Sequence, residues 1–380
     1  MRAKLASHWP PAYLSRVTKR VTPTPIVPLH GHEALCDRLR DTVERSRLAS
    51  SILLHGPRGI GKQRLALWLG QLLVCEGSRP RPCGACEHCR YAEAWTHPDV
   101  HWFFPRPRLK EPDPSPESIR DDYREAIAER RERRGLYPPS DGSEGIFVAA
   151  VRALLQQAAL FPALARRKVF VVGDAERMVS QEGADQAANA FLKLLEEPPA
   201  DTTLVLTSSE PGALLPTVRS RVVAVRVARL PASDVRRFLA DPAVAATLDE
   251  AALPPSTEER VRIAQGAPGA LLGAAGLREA LEQARRFVAA AGGSDAAERL
   301  RLAFIQGGSG ARGSFAQLLD AVTVVLHERV REGATNDDGK AAGAARALEA
   351  VERAKTLATG NVNPQLVSAA LMRELGSLIR

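Results

Sequence analysis

The chain has 380 residues, 45% of them hydrophobic, and 52 basic against 44 acidic side chains leave a formal charge of +8. That is long enough for two or three well-filled domains, and no run of 18 apolar residues exists to span a membrane. Five cysteines, four of them clustered, argue for metal in a reducing cytoplasm rather than for disulfides. The basic excess fits a phosphate-bearing partner, although Arg-rich, high-GC coding gives the same excess without any binding.

Residues 1–28 are basic, lack any acidic side chain and hold no apolar stretch like a signal-peptide core; they read as a disordered extension. From His32 to Arg47, Leu35, Leu39 and Val43 recur every four positions and predict a helix, with Cys36 as core filler. Ser51-Ile-Leu-Leu-His55 is a short apolar run before glycine, a buried strand feeding Gly56-Pro-Arg-Gly-Ile-Gly-Lys62. Arg64 to Val74 reads as the next helix, with Leu65, Leu69, Leu72 and Leu73 turned inward. Cys75, Cys83, Cys86 and Cys89 follow at once, and then His97-Pro-Asp-Val-His101.

Residues 105–145 mix prolines with charges and read as an insertion with little core. Within it, Ser118 to Arg134 is predicted helical, with Ile119, Tyr123 and Ile127 on one face and Gly135 ending it. Arg130, Arg131, Arg133 and Arg134 are expected on a solvated face rather than in a DNA patch.

Regular structure resumes at Ile146, where Val148, Val151, Leu154 and Leu155 mark a helix. Lys168-Val-Phe-Val-Val172 and Thr203-Leu-Val-Leu-Thr207 are buried strands, and Asn189 to Glu197 is a helix stopped by Pro198-Pro199. Strands alternating with helices imply a parallel sheet covered on both faces. Beyond Arg229 the pattern turns helical and alanine-rich. Phe315, Leu318, Val322, Val325 and Leu326 form one stripe, and Asn363 with Pro364 opens a last helix.

Two motifs carry chemistry. A GxxxxGK turn after a buried strand, here Gly56, Gly59, Gly61 and Lys62, points amides and an ammonium at a pyrophosphate. Hydrolysis also needs a metal held by a hydroxyl after the lysine and by an acid on a neighbouring strand. Gln63 stands at the first position, and the strand at Val172 ends in Gly173-Asp174-Ala175, so one acid of the usual pair is missing. ATP binding stays open against a plain helix-packing glycine turn; turnover is not expected. The second motif is CxxCxxC with Cys75 upstream, four thiolates able to converge on one structural zinc ion. The rival, an iron–sulfur cluster, lacks its usual following x3-Cys-Pro.

The phosphate-loop region, the four cysteines after its helix, Phe191-Leu-Lys-Leu-Leu-Glu-Glu-Pro-Pro199 and Leu214-Leu-Pro-Thr-Val-Arg-Ser-Arg221 together resemble bacterial clamp-loader subunits of the AAA+ class. The likeness runs roughly from Leu29 to Leu271, and the Asn363-Pro364 helix resembles that family's C-terminal collar. It implies an α/β plus all-α chain: an AAA+ P-loop-type parallel-sheet domain at 29–228 with a zinc module at 75–89, a helical lid at 229–275 and a helical collar for oligomerisation at 276–380. Motor members of the family carry Lys-Ser/Thr, an Asp-Glu pair and a lid arginine. Here Gln63, Gly173-Asp174 and Gly266-Ala-Pro-Gly-Ala-Leu271 stand instead.

Ser220-Arg221 matches the family's Ser-Arg-Cys motif, with Val222 in place of the cysteine. The resemblance implies that Arg221 reaches a neighbouring subunit's ATP γ-phosphate; the alternatives are an ordinary surface arginine or an ion pair with Glu196 or Glu197. It further implies a non-hydrolysing stator of the DNA polymerase III clamp loader, in the cytoplasm. Its partners would be motor subunits and the delta subunit, with the sliding clamp contacted indirectly and primed DNA through the assembled complex. An ATP-hydrolysing motor subunit is the alternative, and a stand-alone zinc-containing nucleic-acid-binding protein a weaker one.

Overall fold

The computed structural model describes residues 25–138, 140, 144–178, 185–248, 253–272, 277–304, 312–336, 338–359 and 362–379. Strands β1 (Ser51–His55), β2 (Val100–Phe103), β3 (Lys168–Val172), β4 (Thr202–Ser208) and β5 (Val223–Arg226) form one parallel sheet in the order β2-β3-β4-β1-β5. Every residue of β3 and β4 is buried, which is why both carry continuous apolar runs, Val169–Val172 and Leu204–Leu206, rather than alternating ones. Val171 sits opposite Val205, and Leu53 opposite Leu206. The two edge strands, β2 and β5, are not among the strands predicted from sequence.

Helices α1 (Glu33–Glu44), α2 (Lys62–Val74) and α3 (Glu87–Glu93) precede α4 (Pro116–Glu132), α5 (Val148–Ala159), α6 (Asp185–Glu196) and α7 (Pro216–Arg219). Leu65, Leu69 and Leu72 of α2 are at most 1% exposed and join Leu54, Val169 and Leu204 in the first core, where Cys36 also sits. Lys168, at the start of β3, is buried yet satisfied: its ammonium donates to the carbonyls of Gln157, Ala158 (2.7 Å) and Leu160 at the end of α5. A cation there also opposes the negative end of the helix dipole.

The segment 105–145 packs into the first core, contrary to the expectation from composition. Ser115 caps α4 by accepting from the Ser118 N–H (3.1 Å), and Ile119, Tyr123 and Ala126 are buried in the first core. Tyr123 donates to the Phe104 carbonyl (2.8 Å), and Arg106 grips Asp122 with two nitrogens at 3.0 and 2.9 Å. Arg130 is not on a solvated face. Its guanidinium lies over the rings of Phe104 (3.4 Å), Tyr137 (4.0 Å) and Trp102 (4.6 Å), an arrangement that holds a cation on aromatic faces.

Residues 1–24 of the expected disordered extension lie outside the described residues. Of the rest, Val27 is 3% exposed and its N–H donates to the Arg134 carbonyl (2.9 Å), so ordered chain begins before residue 29.

A second core gathers α8 (Ala232–Leu239), α9 (Pro242–Ala245), α10 (Thr257–Ala264) and the long helices α11 (Leu277–Gly292), α12 (Ala296–Phe304), α13 (Arg312–Asn336), α14 (Asp338–Thr359) and α15 (Pro364–Leu378). Phe315, Leu318, Val322, Val325 and Leu326 are buried there, as their spacing predicts. The Asn363 side chain accepts from the Gln365 N–H (2.8 Å) ahead of Pro364, the predicted cap of the last helix. Among the described residues, no helix is long and apolar enough to cross a membrane.

Candidate functional site

The loops after β1, β3 and β4 meet at the C-terminal edge of the sheet, where open α/β folds place their ligands. Gly56 donates to the Ser208 carbonyl (3.2 Å), and the chain then turns through Gly59 (φ 80°) and Gly61 (φ 92°) into α2. This is the strand–turn–helix of a phosphate loop, in place as predicted. Its lysine, however, is occupied. Lys62 is 5% exposed, and its ammonium donates to the carbonyls of Gly56 (3.0 Å) and Pro57 (3.0 Å) and to Ser209 Oγ (2.8 Å). Those three bonds use all three of its donors. Burial pulls the amine below its usual pKa, against the opposing pull of Asp174 and Glu176.

The position after the lysine is tied up as well. Gln63 Nε2 donates to Asp174 Oδ2 (3.2 Å), while its Oε1 accepts from Trp102 Nε1 (3.1 Å). Asp174 also accepts from Ser140 Oγ (3.1 Å), and its own N–H donates to Thr207 Oγ1 (3.0 Å). Behind it, burial and the Asp174 charge push the Glu176 carboxyl above its usual range, while one oxygen accepts from the Ser209 N–H (2.9 Å). Where a cation would bridge a hydroxyl and a carboxylate, a neutral amide joins the acid directly.

Across the cleft, the turn Pro268–Leu271 closes on the loop: Gly269 donates to the Gly59 carbonyl at 2.8 Å. A cavity of about 130 Å³ remains between them, walled by Leu29, His30, Tyr137, Leu230, Phe238 and Leu272. Trp102, Tyr137, Ser140 and Arg58, which donates to the Ser140 carbonyl, belong to this site and escaped sequence reasoning. Ser140 is 82 positions from Arg58, and no local pattern signals that approach.

The four cysteines do converge, with all four Sγ atoms within 4.8 Å of one another. Cys83 and Cys89 are 3.9 Å apart at sulfur, as are Cys75 and Cys86. A tetrahedron with metal–sulfur bonds of about 2.3 Å has edges of about 3.8 Å, so the donor set and its spacing fit zinc. Backbone N–H groups of Cys83, Cys86 and Cys89 point at the sulfurs of Cys75, Cys83 and Cys86 at 3.3–3.4 Å, which favours thiolates. The N–H groups of Cys86 and Ala85 bring the Cys83 thiol down to about 6. His88 and His97 pack together just behind, with ring nitrogens 3.0 Å apart.

Ser220 and Arg221 follow α7 and do not line the cleft. Arg221 Nε donates to Glu196 Oε1 (2.8 Å), and Nη1 donates to the Thr217 carbonyl (2.9 Å) and Ser220 Oγ (3.2 Å). The ion pair with Glu196 is one of the alternatives that the sequence offers, and the Arg221 side chain remains 32% exposed.

A five-stranded parallel sheet with a phosphate-loop turn, a cysteine module after the first loop helix and a helical C-terminal region defines an AAA+-type P-loop protein. Residues 31–231, more than half of the chain, match the model of the family described as "DNA polymerase III, delta subunit", and the chain belongs to that family. It is 34% identical to the DNA polymerase III subunit delta' of Pseudomonas aeruginosa over 47% of this chain and 43% of that one. It is 29% identical to the delta' subunit of Bacillus subtilis over 48% and 43% of the two chains. The gamma/tau subunit of Mycobacterium bovis is 29% identical over 58% of this chain and 32% of its own. The chain thus spans less than half the length of each of these relatives.

Proposed function

We propose that the chain is a clamp-loader subunit of DNA polymerase III, and within that complex a stator rather than a motor. The observation that carries the second step is the internal use of the catalytic positions. Lys62 is bonded to its own loop and to Ser209, and Gln63 is bonded to Asp174. A nucleotide would have to break those bonds before making its own, and no hydroxyl follows the lysine to hold Mg²⁺. Relatives named delta' and gamma/tau support membership in the complex; the filled cleft favours the non-hydrolysing role.

In this reading Arg221, with Ser220 beside it, is the contribution to catalysis, presented to ATP held by a neighbouring motor subunit. A guanidinium there stabilises charge on the transferring phosphoryl group and needs no nucleotide in its own subunit. Exchange of its Glu196 partner for a phosphate would accompany assembly. Cys75, Cys83, Cys86 and Cys89 hold structural zinc, which would staple the loop between α2 and α3. The sheet domain with this module, the lid and the C-terminal helices act as three units. The last is the collar that joins motor and delta subunits in the cytoplasm, reaching the sliding clamp indirectly and primed DNA through the assembly.

The test is ATP turnover by the metal-replete chain alone and after mixing with motor subunits. The stator reading expects no turnover alone, and a mixed rate that depends on Arg221. A rate in the isolated chain that Lys62→Ala abolishes would establish the motor alternative instead.

A further inference from the structure

Residues Arg134–Tyr137 bridge the two cores. Leu136 is 6% exposed and lies in the second core with Leu230, Phe238 and Leu271, whereas Tyr137 next to it packs on Trp102 (5.6 Å between ring centroids) in the first. Gly135, Leu136 and Tyr137 line the same cavity as Gly59, Lys62, Gln63, Pro268 and Gly269.

The crossing is fastened at several points. Arg64 stacks on Trp95 (4.8 Å) and donates to the carbonyls of Gly135 (3.3 Å) and Val27, while Val27 donates back to the Arg134 carbonyl (2.9 Å). The fit admits only glycine at 135: φ is +75°, and a Cβ would fall 2.1 Å from Arg64 Nη1, 2.7 Å from Ile26 and 2.8 Å from Trp95. Farther along, Ser140 Oγ donates to Asp174 (3.1 Å) and Arg58 of the phosphate loop donates to the Ser140 carbonyl.

We propose that Arg134–Tyr137 and Ser140 form a built-in strap that closes the phosphate-loop cleft and pins the lid to the sheet domain without any ligand. This deepens the stator reading and rests on it. A nucleotide moves a lid only through contacts that differ between the open and closed states. Here the closing contacts come from the chain itself, so the lid stays shut whatever the nucleotide concentration. Arg134–Tyr137 and Ser140 supply a tie between lid and loop that needs neither a lid arginine nor a metal.

Amide hydrogen exchange on the full-length, metal-replete chain tests this, with Mg-ATP as the probe. In the wild type, the amides of Val27 and of 135–137 are expected to exchange as slowly as the lid turn 268–271, with no change when ATP is added. In Leu136→Ala and in Tyr137→Ser, exchange in the lid turn and in 56–61 is expected to rise about tenfold or more, while β3 and β4 keep wild-type rates. Unchanged lid protection in both variants overturns the strap. If either variant loosens the whole chain, the wild type alone decides: 135–137 exchanging as fast as the exposed loop 110–113 refutes the strap, and exchange in step with the lid turn supports it. ATP turnover by the wild type alone would sink the stator reading through a separate measurement.

Discussion

The side-chain amide of Gln63 fills the space in front of Gly173: a Cβ added to Gly173 would lie 2.4 Å from the Gln63 Cδ and Oε1. The two departures from a hydrolytic site are therefore one packing unit. Gln63 needs a residue without a side chain at the end of β3, and it is held there by Asp174 and Trp102, so it cannot simply swing away. Gly173→Ala is expected to cost about 1–3 kcal/mol by overpacking. Gln63→Ala should recover most of that loss, giving a coupling of about 1–2 kcal/mol in a double-mutant cycle by urea unfolding. Additive losses would mean that the two positions do not share this space.

Arg221 makes its ion pair at the surface, so Arg221→Ala is expected to cost less than about 1 kcal/mol of stability. Its effect should appear in the assembled complex, where ATP hydrolysis by motor subunits falls at least about tenfold, since such arginines contribute up to 10³–10⁵ in rate. Glu196→Gln loosens the same guanidinium without removing it, and is expected to leave the rate intact. Arg221→Lys should not restore activity, because the planar fork is lost. Equal rates in wild type and Arg221→Ala complexes would assign the residue to the ion pair alone.

Zinc content offers an independent check on the cysteine module. Cys86→Ser is expected to release about one zinc ion per chain, measured by elemental analysis. It should raise exchange most in the stretch 76–86, which holds no helix or strand ahead of α3. Retention of full metal content by the variant would remove Cys86 from the ligand set.

His101 predicts a pH dependence. Its ring stacks on Phe170 (4.7 Å between centroids, 18° between planes), and burial brings it down to about 4, with Asp99 opposing and Lys168 and His97 reinforcing the drop. The folded state therefore holds a neutral ring where an unfolded chain, with an ordinary histidine near pH 6.5, would take a proton. Between those values the unfolded state binds more protons, so stability is full above about pH 6.5 and declines as pH falls toward 4. His97 is lowered to about 4 in the same direction, and both contribute to the slope. His101→Gln should remove roughly one proton from that slope in urea midpoints taken across pH 4–7. An unchanged slope would show that His101 is solvated in the fold.

The strands legible from sequence were those with neighbours on both sides. β1, β3 and β4 carry the apolar runs Ile52–Leu54, Val169–Val172 and Leu204–Leu206 because neighbouring strands cover both of their edges. Among the described residues, β2 and β5 each pair along one edge only, and with His101 and Arg226 in them they lack the unbroken run that marks a central strand. The cysteine cluster was legible because its members, Cys75 to Cys89, lie within 15 residues of one another. The filling of the cleft was not, since Lys62 to Ser209 and Gln63 to Asp174 span 147 and 111 positions. Arg130 misled for a related reason: it sits in an arginine run, and its aromatic partners come partly from the unrecognised strand β2.

That misreading bears on the segment 105–145, which composition alone marks as dispensable. Tyr123 is 6% exposed, packs edge-on against Phe103 and Phe104 (5.0 and 5.3 Å), and donates to the Phe104 carbonyl. Tyr123→Ala is expected to cost about 3–5 kcal/mol, the loss typical of a large buried ring. Tyr123→Phe, which removes only the hydroxyl and leaves that carbonyl without its donor, should cost about 1–3 kcal/mol. Removing the whole segment would uncover Trp102 and Phe104 together and leave Arg64 with no Gly135 carbonyl to bond, so the shortened chain is expected to be insoluble or molten. A cooperative unfolding transition at the wild-type midpoint in that deletion would show the segment to be an appendage after all.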